Sequence, residues 1–335
     1  MKIDTGLGAD LPKVASRVGA AEAAGLDCLW AAETTNDPFL SLTLAAEHST
    51  RVALGTGVAI AFARNPMSLA YTTNQLQDYS GGRVVLGLGS QVRRHIERRF
   101  SSTWSHPAAR MREFVLALRA IWSSWNDGVD WSGFEGEFYT HTLMTPVFAP
   151  RPHAFGPPRV FLAAVGPLMN EVAGEVADGV LTHGICTARY LREVILPAVD
   201  RGLATSGRSR GGGFEVTCPG FISVVEDESK LYSARDAMRR QVGYYASTPA
   251  YRPVLDLHGW GDLQRDLYLC SKNGRWDDMA RLVDDEVLDT LTIVCTPDKL
   301  AGEVGVRYGG LVDRINVSWW RKEWWPDVEK ELRGL

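Results

Sequence analysis

The chain has 335 residues, of which 45% are hydrophobic and 23% charged, a composition ordinary for a globular protein with ample core. A formal net charge of -4 gives no general attraction to nucleic acid or to an anionic membrane, so a small-molecule substrate is the expected partner. The five cysteines are widely spaced and form no Cys-x-x-Cys pair, which argues against a disulfide framework and a zinc knot; no metal is expected.

Taken in order, strand and helix patterns alternate, as in a parallel sheet with helical crossovers. Lys2 to Leu7 reads as a strand entered at once, without a basic and apolar leader, and no apolar run is long enough to span a bilayer; a cytoplasmic location is expected. An amphipathic helix follows over Leu11 to Ala24, stopped by Gly25, then a strand at Asp27 to Ala32 and a helix at Pro38 to His48. The third strand, Arg51 to Ile60, is apolar yet carries Gly55 and Gly57 inside. Interior glycines weaken a strand unless something needs backbone there. Either a bulge pushes main chain into the mouth of a barrel, or the strand is a slightly irregular core element. Asn65 and Pro66 open the next helix as N-cap and first residue, and Gly81-Gly82 ends it. Arg83 to Leu88 is the fourth strand, leaving through Gly87-Leu88-Gly89-Ser90, and Ala108 to Trp125 is a long helix.

Between Asn126 and Pro158 the alternation stops. Trp131 to His141 suits a hairpin, and a proline-rich stretch follows it. Alternation resumes with strands at Arg159 to Ala164, Val180 to His183 and Phe214 to Val225, and helices from Leu168 and over Thr187 to Ala204. A second, mostly helical excursion runs from about Tyr244 to Leu288. Thr290 to Val294, a helix at Leu300 to Tyr308, a strand at Val312 to Ser318 and a tryptophan-rich helix complete the chain. Nine strand candidates compete for eight places, and Thr290 to Val294 is set aside as a lead-in to its helix. The expected fold is therefore α/β: a (β/α)8 TIM barrel, one domain over residues 1–335, with insertions at about 126–158 and 244–289 on the C-terminal face of the strands.

Four runs carry a resemblance: Trp30-Ala31-Ala32-Glu33 through Leu40, Leu54-Gly55-Thr56-Gly57 through Pro66, Leu86-Gly87-Leu88-Gly89-Ser90, and Phe161-Leu162-Ala163-Ala164-Val165-Gly166-Pro167. Together they resemble the luciferase-like monooxygenase superfamily, and within it the branch of oxidoreductases that uses the deazaflavin coenzyme F420. The resemblance implies a bulge on the third strand with a cis peptide at Gly57-Val58 beneath the ring. It also implies a phosphate site on the backbone of Ala164, Val165 and Gly166, where a Gly-Pro turn opens a helix. Ser90 and His95 align with polar contacts to the cofactor, and Arg93, Arg94, Arg98 and Arg99 could meet its acidic tail or form a solvated basic face. A homodimer is also implied.

Hydride transfer needs a second group that moves a proton on the substrate. Glu33, at the exit of the second strand, is the first candidate, and Glu33→Gln should then spare cofactor affinity while lowering turnover. Asn36 stands where many relatives carry a histidine, and an asparagine exchanges no proton at neutral pH. His183, at the exit of the sixth strand, is the best-placed histidine, with a structural role equally open. Asp37 reads as a helix cap, and His258 and Trp260 as residues of the substrate side. A Schiff-base aldolase is disfavoured because no lysine lies between Lys13 and Lys230. The remaining readings are an F420-dependent oxidoreductase, an FMN-dependent monooxygenase on the same fold, and a protein that binds deazaflavin without turnover.

Overall fold

The computed structural model describes residues 1–218, 220–317 and 324–335. Eight strands form its centre: β1 (Lys2–Gly6), β2 (Cys28–Ala31), β3 (Ala53–Thr56), β4 (Val84–Gly89), β5 (Arg159–Ala164), β6 (Gly179–Thr182), β7 (Glu215–Cys218) and β8 (Arg314–Asn316). All pair in parallel with their neighbours in sequence, and β8 returns to β1 through Lys2–Arg314, Ile3–Ile315 and Asp4–Asn316. The closed sheet leaves no free edge, and the fold is a (β/α)8 TIM barrel.

Local chemistry sets the crossovers. Asp37 and Asn65 each accept a hydrogen bond at 2.9 Å from the amide two residues on, capping the helices Pro38–Glu47 and Pro66–Tyr79, which both begin with proline. Gly81 and Gly82 end the second of these helices with φ of 67° and 86°, a region a side chain disfavours.

Apolar residues form two layers. A large shell lies between strands and helices, while Cys28, Trp30, Val85 and Phe161 pack inside the barrel. Below them the interior turns ionic. Arg314 donates to both oxygens of Asp4 at 2.8 and 2.6 Å and to Glu215 at 2.9 Å, with 5% and 2% of the Arg314 and Asp4 side chains exposed. Such a bidentate geometry offsets the cost of removing both charges from water.

Two elements differ from the sequence reading. The strand expected over Phe214 to Val225 divides: Glu215–Cys218 joins the barrel, and Phe221–Val224 leaves it to pair in parallel with Thr292–Cys295. Thr292–Cys295 is thus a strand outside the barrel and not a lead-in to the helix Pro297–Tyr308. The second excursion begins earlier than Tyr244, with the helix Leu231–Ala246, and continues through four further helices to Leu291. The hairpin of the first excursion pairs Phe134–Glu135 with Thr140–His141. Of the C-terminal tryptophans, Trp319 and Trp320 lie outside the described residues, whereas Trp325 is buried and donates to Ala24 O at 2.8 Å. No helix among the described residues is long and apolar enough to cross a membrane.

Candidate active site

The site begins where β3 loses its register. Gly55 lies opposite Val85, yet the next paired residue is Ala59 opposite Leu88, so one strand fits an extra residue into the interval. That is a bulge, and it settles the alternative left open for Gly55 and Gly57. Thr56 Oγ1 donates to Gly87 O at 2.7 Å and Gly57 N to Ala31 O at 2.8 Å, turning Gly57-Val58, which is cis, toward the barrel mouth. The glycines serve packing. A Cβ on Gly55 would stand 2.3 Å from the Trp30 ring, and one on Gly87 2.0 Å from the Thr56 carbonyl. Trp30 lies against the bulge, its indole N–H held by Asp4 at 2.9 Å.

Above the bulge opens a cavity of about 1050 Å³ at the C-terminal ends of the strands. Gly57, Val58 and Ser90 line one part of it and Ala164, Val165 and Gly166 another. Gly166 is the N-cap of the helix Pro167–Val176, whose first turn holds no acidic residue. Asn170 Nδ2 donates to the carbonyls of Val165 and Gly166 at 3.0 and 2.9 Å, and Tyr190 Oη to Val165 O at 3.3 Å. These bonds tie the carbonyls, while the Val165 and Gly166 amides donate to no protein acceptor among the described residues. The result is a pair of N–H groups at the positive end of a helix dipole, open to an anion.

His183 lies across the same cavity. Its ring stacks on Tyr251 at 4.4 Å between centroids and meets Tyr245 edge-on at 4.7 Å. The Ile185 amide donates to His183 Nδ1 at 3.1 Å, which leaves the ring proton on Nε2. Burial pushes the imidazole down to about 4, so it is neutral at physiological pH.

Five of the residues singled out in the sequence do not line the cavity. Glu33 turns behind the bulge: Ile60 N donates to its Oε2 at 2.7 Å and Arg64 Nη1 at 2.5 Å, and Arg64 continues to Asp37 at 2.9 Å. Asn36 is exposed and donates to Ala9 O at 2.9 Å. His95 is exposed on the helix Arg93–Arg98, whose Arg93 reaches the cavity rim while paired with Glu97 at 2.8 Å. His258 and Trp260, expected on the substrate side, stack on each other at 4.5 Å, and His258 Nε2 contacts the Thr187 hydroxyl at 2.9 Å. They brace the loop after β6 from outside the cavity. Sequence reasoning missed Trp30, Trp104, Phe221, Tyr245 and Tyr251 as lining residues. For the two tyrosines the only signal was their place in the excursion after β7.

The sequence profile of luciferase-like monooxygenases matches residues 2–314. The chain belongs to this family. Among its luciferase-like relatives, an uncharacterized protein of Mycobacterium tuberculosis is 52% identical over 315 residues, covering 94% of this chain and 92% of that protein. A 5,10-methylenetetrahydromethanopterin reductase of Archaeoglobus fulgidus is 30% identical over 286 residues, covering 83% and 80%. Among solved luciferase-like folds, the coenzyme F420-dependent tetrahydromethanopterin reductase of Methanopyrus kandleri superposes with a TM-score of 0.76 at 21% identity, over 99% of this chain and 95% of that one.

Proposed function

We propose that this luciferase-like protein is an F420-dependent oxidoreductase that transfers a hydride between the deazaflavin and a small organic substrate. The observation that carries the proposal is the open pair of amides at Val165 and Gly166 sharing with the main chain of Gly57-Val58 one cavity large enough for a ring system and its side chain. The residues present fit such a group: unpaired N–H donors at a helix start suit a phosphate, and a glycine bulge over Trp30 suits a flat ring. Similarity to a putative coenzyme F420-dependent oxidoreductase of Mycobacterium tuberculosis, 26% identical over 312 residues, supports the deazaflavin over FMN.

When bound, the coenzyme supplies the hydride. Val58 and Gly57 would support its ring, Ala164, Val165 and Gly166 its phosphate, and Ser90 its polar edge, while Arg93 stands at the rim for an acidic tail. His183 holds one proton on Nε2 and presents it as a neutral donor. Glu33 and Arg64 act from behind, fixing the Ile60 amide and thereby the bulge. Asn36, exposed and turned to Ala9 O rather than lining the cavity, moves no proton.

Titration with F420 and with FMN, followed by quenching of intrinsic fluorescence, tests the reading. F420 is expected to saturate the protein and FMN to bind at least tenfold more weakly. Saturation by FMN alone would replace it with the monooxygenase reading, and binding of F420 without turnover across a panel of alcohols, ketones and enones would leave a carrier.

A further inference from the structure

Beyond the parts assigned to the coenzyme, the cavity continues under the second excursion. There Phe221, Tyr245 and Tyr251 gather around His183: Phe221 stacks on Tyr245 at 5.4 Å and meets His183 edge-on at 6.1 Å. Gly184 makes this approach possible, because a Cβ at that position would stand 2.7 Å from the Phe221 ring. Met238, one turn before Val242 on the helix Leu231–Ala246, adds apolar wall.

Charge is missing from this chamber. Of the charged residues that line the cavity, Asp4 is held by Arg314 and Trp30 on the floor, and Arg93 by Glu97 at the rim. The basic residues of the excursion helix are also committed: Arg235 and Arg239 pair with Asp285, and Arg240 with Asp236. Burial, and then Tyr245, push the Tyr251 phenol up to about 12, so it stays protonated. A cation would meet aromatic faces but no carboxylate free to compensate it, and an anion would find no cation for itself, Arg93 at the rim being assigned to the acidic tail of the coenzyme. Gln241 and Thr248 also line the cavity, but the polar group with a set orientation is His183 Nε2, whose hydrogen is fixed by the Ile185 amide on the opposite nitrogen.

We infer that this chamber is the substrate subsite and takes an uncharged, flat carbonyl compound, its rings or double bonds between Tyr251, Tyr245 and Phe221 and its oxygen accepting from His183 Nε2. The inference rests on the oxidoreductase reading for its place in a reaction, but its binding chemistry stands alone. A neutral donor strengthens its hydrogen bond as negative charge grows on the carbonyl oxygen during hydride arrival, and the proton that completes the product comes from solvent.

Three probes of similar shape separate the contributions: benzylideneacetone, its charged counterpart cinnamate, and trans-propenylbenzene, which lacks the oxygen. Calorimetric titration of the full chain without coenzyme should show benzylideneacetone binding about tenfold or more tighter than cinnamate. His183→Phe keeps the ring stack and removes the donor; it should weaken benzylideneacetone by about fivefold to tenfold and leave propenylbenzene unchanged. His183→Gln, which retains an N–H, should recover part of that loss. Cinnamate binding as tightly as the ketone, no binding of any probe, or equal behaviour of ketone and hydrocarbon in His183→Phe would each overturn the inference. Titration of F420 by its own fluorescence anisotropy is read separately. Absence of F420 binding with ketone discrimination intact would remove the proposed function and leave the subsite.

Discussion

Glu33 has two oxygens, and the one facing the bulge is shared by an amide and a guanidinium. Replacing it with glutamine keeps the shape and removes the charge that holds Arg64 at 2.5 Å, a pair in which 17% of Arg64 and 9% of Glu33 is exposed. Glu33→Gln is therefore expected to lower stability by about 1 to 3 kcal/mol and, on the proposed reading in which the bulge it fixes supports the coenzyme ring, to weaken F420 affinity. Urea unfolding and coenzyme titration check this, and intact affinity with reduced turnover would restore Glu33 to proton transfer. The contrast with its neighbour shows what a sequence can tell. Asp37 was readable as a cap since its acceptor role is satisfied two residues away, next to a proline. Glu33 was not, because its partners Ile60 and Arg64 are brought to it by a bulge whose geometry exists only after β3 and β4 have paired.

Among elements, β3 and the helix Val14–Ala23 use glycine for opposite reasons. At Gly55 a methyl would collide with the Trp30 ring at 2.3 Å, while at Gly19 nothing lies within 4 Å. Gly55→Ala should thus destabilise by about 1 to 3 kcal/mol through overpacking, and Gly19→Ala should stabilise by about 0.5 to 1 kcal/mol through helix propensity. Thermal unfolding of the two variants, run side by side, reads both signs; a neutral Gly55→Ala would mean that Trp30 does not pack against the bulge. Alternation of apolar runs with amphipathic stretches was enough to place eight barrel strands, since that period belongs to each element separately. The division of Phe214 to Val225 was hidden. Both halves lie in one run of strand-forming residues, and only the partner, β8 for one and Thr292–Cys295 for the other, distinguishes them. The aromatic chamber was hidden for the same reason, as Tyr251 and His183 meet across elements far apart in the chain.

At the scale of the molecule, the barrel is closed by charge as well as by backbone. Burial alone would raise the Glu215 carboxyl, but Lys2, Arg314 and Arg159 outweigh it and hold it at about 2, below its ordinary 4.5. A carboxylate with a lowered folded value contributes stability that is complete above the unfolded value and is lost as pH falls through the folded one. Glu215→Gln should cost about 2 kcal/mol or more at pH 7, and its gap from the parent should close as pH falls from about 4.5 toward 2. Chemical denaturation at several pH values checks this; a gap that persists unchanged in acid would mean that the carboxylate is not what the three cations hold. The pairing of Phe221–Val224 with Thr292–Cys295 carries a different consequence. Five helices are looped out between two points that lie side by side, like a handle riveted at both ends to the rim. Their length and surface are uncoupled from barrel closure, so this part of the architecture is free to be retailored for one guest molecule or another while the staves and the redox seat beneath stay as they are.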